Sequence, residues 1–158
     1  MITIRKVLVP IDFSENSRKA VDYGVEIARD RKSKLHYLHV INQRTLDTIG
    51  ELSSKGYKGD ILTAIRNLIR AREQELDSFI PQSAREGFDV LFVIRQGKPA
   101  DEIIKFAREA QIDLIIAGTK GRSALEAAMI GSVTASLVNH APCPVLVVRP
   151  VEHDFISS

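Results

Sequence analysis

Five short apolar runs, separated by stretches of helical period, constrain the fold of this chain more than any other feature. They are KVLVPI at Lys6–Ile11, KLHYLHVI at Lys34–Ile41, DVLFVI at Asp89–Ile94, DLIIA at Asp113–Ala117 and PVLVVR at Pro144–Arg149. The first is almost uniformly apolar, as in a strand buried on both faces of a parallel sheet. Between the runs the period changes to that of a helix. Ala20, Val21, Gly24, Val25 and Ala28 make one stripe, with Ser14 placed to cap it and Glu15 near its positive end. Ile61, Ile65, Leu68, Ile69, Leu76, Phe79 and Ile80 make another, from about Asp60 to a stop at Pro81, and Gly87 suits a closing turn. Gly97 and Pro99 open a third, which carries Asp101 and Glu102 in its first turn and Ile103, Ile104, Ala107 and Ala110 on its buried face. A fourth starts at Ser132 and runs to about Asn139. Strands and helices alternating in this way imply right-handed crossovers and an α/β fold, a five-stranded parallel sheet covered by helices on both faces. Residues 42–59 are polar, contain Gly50, Gly56 and Gly59 and show no strong period. They are expected to form a mobile flap beside the end of the second strand, or else an inert surface excursion.

The run GTKGRSALEAAMIGSVT lies between the fourth strand and the last helix. Glycine lets a backbone approach a ligand closely, and a helix start offers free N–H groups and the positive end of its dipole to an anion. The spacing is neither GxGxxG nor GxxxxGK[ST], so neither the dinucleotide fingerprint nor the P-loop is present. What stands there is G-x2-G-x9-G-S, built from Gly118, Gly121, Gly131 and Ser132. The alternative is glycine as loop punctuation. If the ligand reading holds, Gly118→Val or Gly131→Val blocks backbone approach and leaves the fold mostly intact. Ser132 and Thr134 offer hydroxyls to phosphate oxygens, although Ser132 also suits a plain N-cap. Lys120 and Arg122 are placed to neutralise phosphate charge or, equally, to be solvated.

Composition narrows the classes of function. A net charge of +2 over 158 residues, with bases and acids mixed, does not suggest a nucleic-acid surface, and the absence of Trp leaves little for base stacking. No apolar run is long enough to span a membrane, and MITIRKVLVPIDFS lacks the charge and apolar segments of a signal peptide. The chain therefore reads as cytoplasmic, with one domain over residues 1–150 and a tail at 151–158. Cys143, between two prolines, has no partner for an internal disulfide. His36 and His39 stand three apart on a strand, which puts them on opposite faces and argues against a metal pair. His140 suits the negative end of a helix. No GxSxG or HExxH occurs, and no catalytic residue is identified.

The combination VLVPIDFS, a strand ending H-V-I, Q-G-x-P-A-D-E-I-I, D-L-I-I-A-G-T-K-G-R-S, G-S-V-T and A-P-C-P-V-L-V-V-R covers nearly the whole chain. It resembles the universal stress protein family in its ATP-binding branch. The resemblance implies strand order 3-2-1-4-5, so the winding reverses between strands one and four. Ligands of open α/β sheets sit at such a point, at the carboxyl ends of the strands. It also implies that ATP is held by Pro10, Ile11, Asp12, Val40, Gly118, Thr119, Lys120, Gly121, Arg122, Gly131, Ser132, Val133 and Thr134. Asp12 would stand near the adenosine and a Mg²⁺ ion, and backbone around Val40 would read the adenine edge. Asp12 has a second reading, as a turn carboxylate serving local N–H groups. Family members often carry histidine where this chain has Lys120. The resemblance further implies a regulatory nucleotide-binding protein of the stress response, a homodimer through the fifth strand, Val145–Arg149, and a downstream protein partner that it does not name. The rival readings are a slow ATPase or nucleotidyl-transfer enzyme, and an interaction module with an empty site.

Overall fold

The computed structural model describes residues 1–56, 59–119 and 130–149. Its elements are β1 (Lys6–Pro10), α1 (Glu15–Arg31), β2 (Lys34–Asn42), α2 (Gln43–Ser54), α3 (Ile61–Phe79), β3 (Val90–Gly97), α4 (Pro99–Glu109), β4 (Leu114–Gly118), α5 (Ser132–His140) and β5 (Val145–Val148). A single 3₁₀ turn, Gln82–Ala84, follows α3. The five strands form one parallel sheet in the order β3-β2-β1-β4-β5. The expected order is thus observed, with the reversal between β1 and β4.

β1 is the centre. Val7, Leu8 and Val9 are fully buried because side chains alternate between two cores. Val7 and Val9 join Leu35, Tyr37 and Ile116 under α1 and α3. Leu8 joins Leu38, Ile115 and Ala117 under α4 and α5. The amino end of the pairing is closed by Asp113, whose Oδ2 accepts the N–H groups of Arg5 and Lys6 at 2.9 Å each. The stripe expected on α1 is its buried face, and Ser14 caps the helix by accepting the Ser17 N–H. The third apolar run behaves differently from the others. It extends to Gly97 and forms a sheet edge, where Leu91 and Phe92 stay 42% and 37% exposed. The Phe92 ring is covered by Tyr37 on one side and the Arg85 guanidinium on another.

The flap expected at residues 42–59 is not found over Gln43–Ser54, which is a helix of 12 residues. Its cap is Asn42, whose side chain accepts the Arg44 N–H at 3.1 Å. Leu46, Ile49 and Leu52 recur at helical spacing, but no residue of α2 is buried. The helix is held by local bonds and by its neighbour α3, so its apolar signal is weak and reads as loop. Tyr57 and Lys58 lie outside the described residues.

Gly118 ends β4 directly beneath the first turn of α1. A Cβ placed there would stand 2.6 Å from the Asn16 Cβ and 3.1 Å from the Asn16 carbonyl carbon. The expectation that Gly118→Val spares the fold is therefore corrected: this glycine is needed for helix–strand packing. Overpacking of this kind costs about 1–3 kcal/mol. Gly118→Ala is accordingly expected to lower the denaturation midpoint at unchanged m-value, and an unchanged midpoint would show that α1 recedes at no cost.

Candidate functional site

A cleft of about 400 Å³ opens at the carboxyl ends of β1, β2 and β4, at the reversal point. One wall is apolar and comes from the α4–α5 side, with Leu38, Val40, Ile103, Val133 and Leu137. The other is polar and comes from the α1–α3 side, with Asp12, Ser17, His39 and Arg72. Asn42 and Thr45, around the start of α2, complete the rim. β2 and β4 flank β1, so the two ends of the cleft stand two strand spacings apart, about 10 Å.

The turn after β1 is tightly built. The Asp12 Oδ1 accepts the Ser14 N–H at 3.0 Å and also a short bond from the Ser14 hydroxyl. The local-turn reading of Asp12 is thus observed through Oδ1, and the residue also lines the cleft. Phe13 has φ of 66°, a left-handed conformation that costs a bulky residue of the order of 1–3 kcal/mol. Its ring repays part of that by packing against His39, tilted by 40° at 4.5 Å, and meeting Phe79 edge-on at 5.6 Å.

Opposite the turn, the ends of the glycine segment are tied together. The Gly131 N–H donates to the Thr119 carbonyl at 2.6 Å, and the Thr134 hydroxyl donates to the Gly118 carbonyl at 2.6 Å. The one hydroxyl proton of Thr134 therefore serves the fold here. The expected cap also shifts by one residue: Gly131 is the N-cap of α5, Ser132 is its first helical residue and is exposed, and no side chain caps this helix among the described residues. By contrast, α1, α2 and α3 are each capped by a side chain.

Among the expected site residues, Pro10, Ile11, Asp12, Val40, Gly118, Val133 and Thr134 line the cleft. Gly131 and Ser132 stand at the start of α5 outside that lining. Thr119 is buried, with its N–H on the Val148 carbonyl and its hydroxyl without a hydrogen-bond partner among the described residues. Lys120, Gly121 and Arg122 lie outside the described residues. Val40 carries a backbone signal that no side-chain reading reveals. Leu38 directs its carbonyl to β1, where the Ile11 N–H donates at 2.7 Å. Backbone groups two residues on point the same way. β1 has ended there, so the Val40 N–H and C=O open into the cleft.

Thr45, Arg72 and His39 are among the lining residues that the sequence reading did not assign to the site. Thr45 comes from α2, the helix that read as loop, and Arg72 from α3. His39 does lie on the face opposite His36, as expected: His36 meets Phe106 over one core and His39 meets Phe13 over the other. Its Nδ1 stands 2.7 Å from the Ile11 carbonyl oxygen. Burial, followed by the positive charge of Arg72, pushes its pKa below the ordinary histidine value, against the contrary pull of the Ile11 bond, Glu75 and Asp12. Among the described residues no cluster of three or more metal-ligating side chains occurs, and no helix is long and apolar enough to cross a membrane.

These features have counterparts in known proteins. Residues 3–149 match the model of the universal stress protein family. The universal stress protein YxiE of Bacillus subtilis is 32% identical over 145 residues, covering 91% of this chain and 98% of its own. The solved structure of the hypothetical protein MJ0577 superposes with a TM-score of 0.80 at 26% identity, over 96% of this chain and 100% of that one. A family protein of Arabidopsis thaliana, solved with AMP bound, shares the fold with a TM-score of 0.62 at 21% identity, over 92% of this chain and 91% of its own. A family match over nearly the full length, on the expected sheet order, settles the classification: this chain belongs to the universal stress protein family.

Proposed function

We propose that this chain binds ATP with Mg²⁺ at the carboxyl end of its sheet and acts as a nucleotide-dependent regulatory protein. The observation that carries this reading is a cleft with an open strand-end peptide at one end and an uncapped helix start at the other. The Val40 N–H and C=O offer a donor and an acceptor to the edge of a base, beside the apolar wall of Val40, Leu38 and Ile103. The free N–H groups at the start of α5 suit phosphate oxygens about 10 Å away, across β1. The ring and ribose of a nucleotide bridge that distance. In the Arabidopsis relative the bound ligand is AMP. At that identity the likeness is one of fold, and the argument here rests on this chain's own cleft.

A Mg²⁺ ion on a nucleotide typically takes one or two protein carboxylates and completes its shell with phosphate oxygens and water. Asp12 fits that mode: Oδ1 is fixed by Ser14, which aims the carboxylate while Oδ2 can face the cleft. The metal would offset phosphate charge there. Asp12→Asn retains an oxygen for the Ser14 N–H and removes the charge. It is expected to weaken MgATP binding by about 1–3 kcal/mol and to leave ATP binding without Mg²⁺ nearly unchanged. Gly131 has φ of −65° and ψ of 158°, which any residue adopts. Gly131→Val is therefore expected to abolish ATP binding while the fold persists. Isothermal titration checks both variants, and unchanged affinity in both would contradict the site.

We further propose a homodimer through β5. This strand pairs with β4 on one side only, and Leu146 is 36% exposed. The carbonyls of Pro144 and Val148 bond to β4, so the N–H of Val147, of the other parity, points to the free edge. Val147→Pro removes that outward donor and keeps the pairing with β4. Sedimentation is expected to give a dimer for the unaltered chain and a folded monomer for the variant. A monomeric unaltered chain, or a variant that stays dimeric, would contradict the proposal.

A further inference from the structure

The His39 ring is held in one orientation at the base end of the cleft. The Ile11 carbonyl can only accept, so the Nδ1 at 2.7 Å from it must carry the proton. Burial and Arg72 disfavour a second proton on the ring. Nε2 is then a bare acceptor, on the ring edge away from Ile11, in a residue that lines the cleft. Rotation of the ring is opposed by Phe13 packed against it at 4.5 Å, and Phe13 is in turn held by Phe79, which lies under the Arg18 guanidinium at 4.2 Å. The left-handed backbone of Phe13 is what delivers that ring to His39.

The same bond shapes the neighbouring peptide. In a continued parallel ladder the Ile11 carbonyl would accept the Val40 N–H. Here that carbonyl faces the imidazole instead. His39 thus stands where the β1–β2 ladder stops, with the open Val40 peptide one residue from its own acceptor.

We propose that His39 Nε2 is a specificity-determining acceptor that selects a 6-aminopurine. Resting on the nucleotide-binding reading above, this assigns the base. An exocyclic amine has two hydrogens, one for the Val40 carbonyl and one for Nε2. A 6-oxopurine presents an oxygen to both, leaving two acceptors unpaired against a third, and a site built to pair a polar group rejects the analogue that lacks it. Selectivity then comes from a neutral histidine together with one peptide.

The test compares ATP with ITP by isothermal titration on the full chain, in three forms. The unaltered protein is expected to prefer ATP by about tenfold or more, the scale of an unpaired buried polar group. His39→Asn can keep a donor to the Ile11 carbonyl but has no atom at the place of Nε2, and its preference is expected to fall to within about threefold. His39→Gln can place a carbonyl oxygen near that point and is expected to restore part of the preference. The ratio of two affinities measured on one variant cancels any general loss of stability.

A pH series adds a readout that a merely structural histidine would not move. A lowered pKa moves protonation of the ring below the ordinary histidine value, so the ATP preference should fall at a more acidic pH than a free imidazole would give. Protonation then turns Nε2 into a donor suited to ITP. Arg72 opposes that protonation, and Asp12 and Glu75 favour it. The Asn variant should show no such fall. Equal preference in the unaltered and Asn proteins, with ATP still bound, overturns the role of His39 alone. Failure of the unaltered protein to bind either nucleotide overturns the underlying reading instead.

Discussion

The close seating of α1 on the end of β4 is the contact on which the rest of the cleft depends. It exists because position 118 has no side chain: any Cβ there would run into Asn16. The approach continues along α1, where a Cβ on Gly24 would stand 3.0 Å from Val9. With the helix that low on the sheet, the turn Asp12–Phe13–Ser14 lies against the β4 end rather than above it. The Gly118 carbonyl then serves Thr134, which fixes the start of α5. One glycine thereby couples the acid-bearing turn, the strand end and the helix proposed to meet phosphate.

The chemistry of the cleft is carried largely by backbone and by local bonds. Asp12 is aimed by Ser14, and Ser14 in turn caps α1, so the same hydroxyl serves helix start and site. The peptide of Val40 is open because β1 ends early, and the carbonyl that would have paired with it faces an imidazole. The strained Phe13 is supported by two ring contacts. A strained conformation persists where its surroundings over-determine it, and such positions cluster at functional sites. Groups of this kind are suited to hold and sort a ligand.

Much of this was legible in the sequence, and what was not has physical causes. Doubly buried strands announce themselves as apolar runs, so the alternation and Ser14's cap could be read directly, and the sheet order followed from the family resemblance. The third run shows what a single strand's pattern leaves out, because edge position is a property of topology: Phe92 is apolar yet half-exposed, packed against Tyr37 and Arg85. The helix Gln43–Ser54 was missed because its few large apolar residues, Leu46, Ile49 and Leu52, stand in a polar stretch and none is buried. Thr45 was missed with it, whereas Arg72 lies on α3, a helix that was read but not placed at the cleft. Gly118 was read for its ligand role, whereas the neighbour that demands it is a helix 102 residues earlier in the chain. His39 was considered only as one of a pair with His36, and its orientation is fixed by Ile11 and Phe13, which spacing along one strand cannot show.

The central claim is that the reversal point between β1 and β4 is an adenine nucleotide site with its base end at β2 and its phosphate end at α5. Amide chemical-shift mapping of the ¹⁵N-labelled chain during titration with MgATP tests this most directly. Saturable shifts are expected at Val40 and Ile11 for the base, and at Ser132, Val133 and Thr134 for the phosphates. The surface groove between α4 and α5, around Lys105, Arg108 and His140, should remain still. Shifts confined to that groove, or none at millimolar MgATP, would contradict the account.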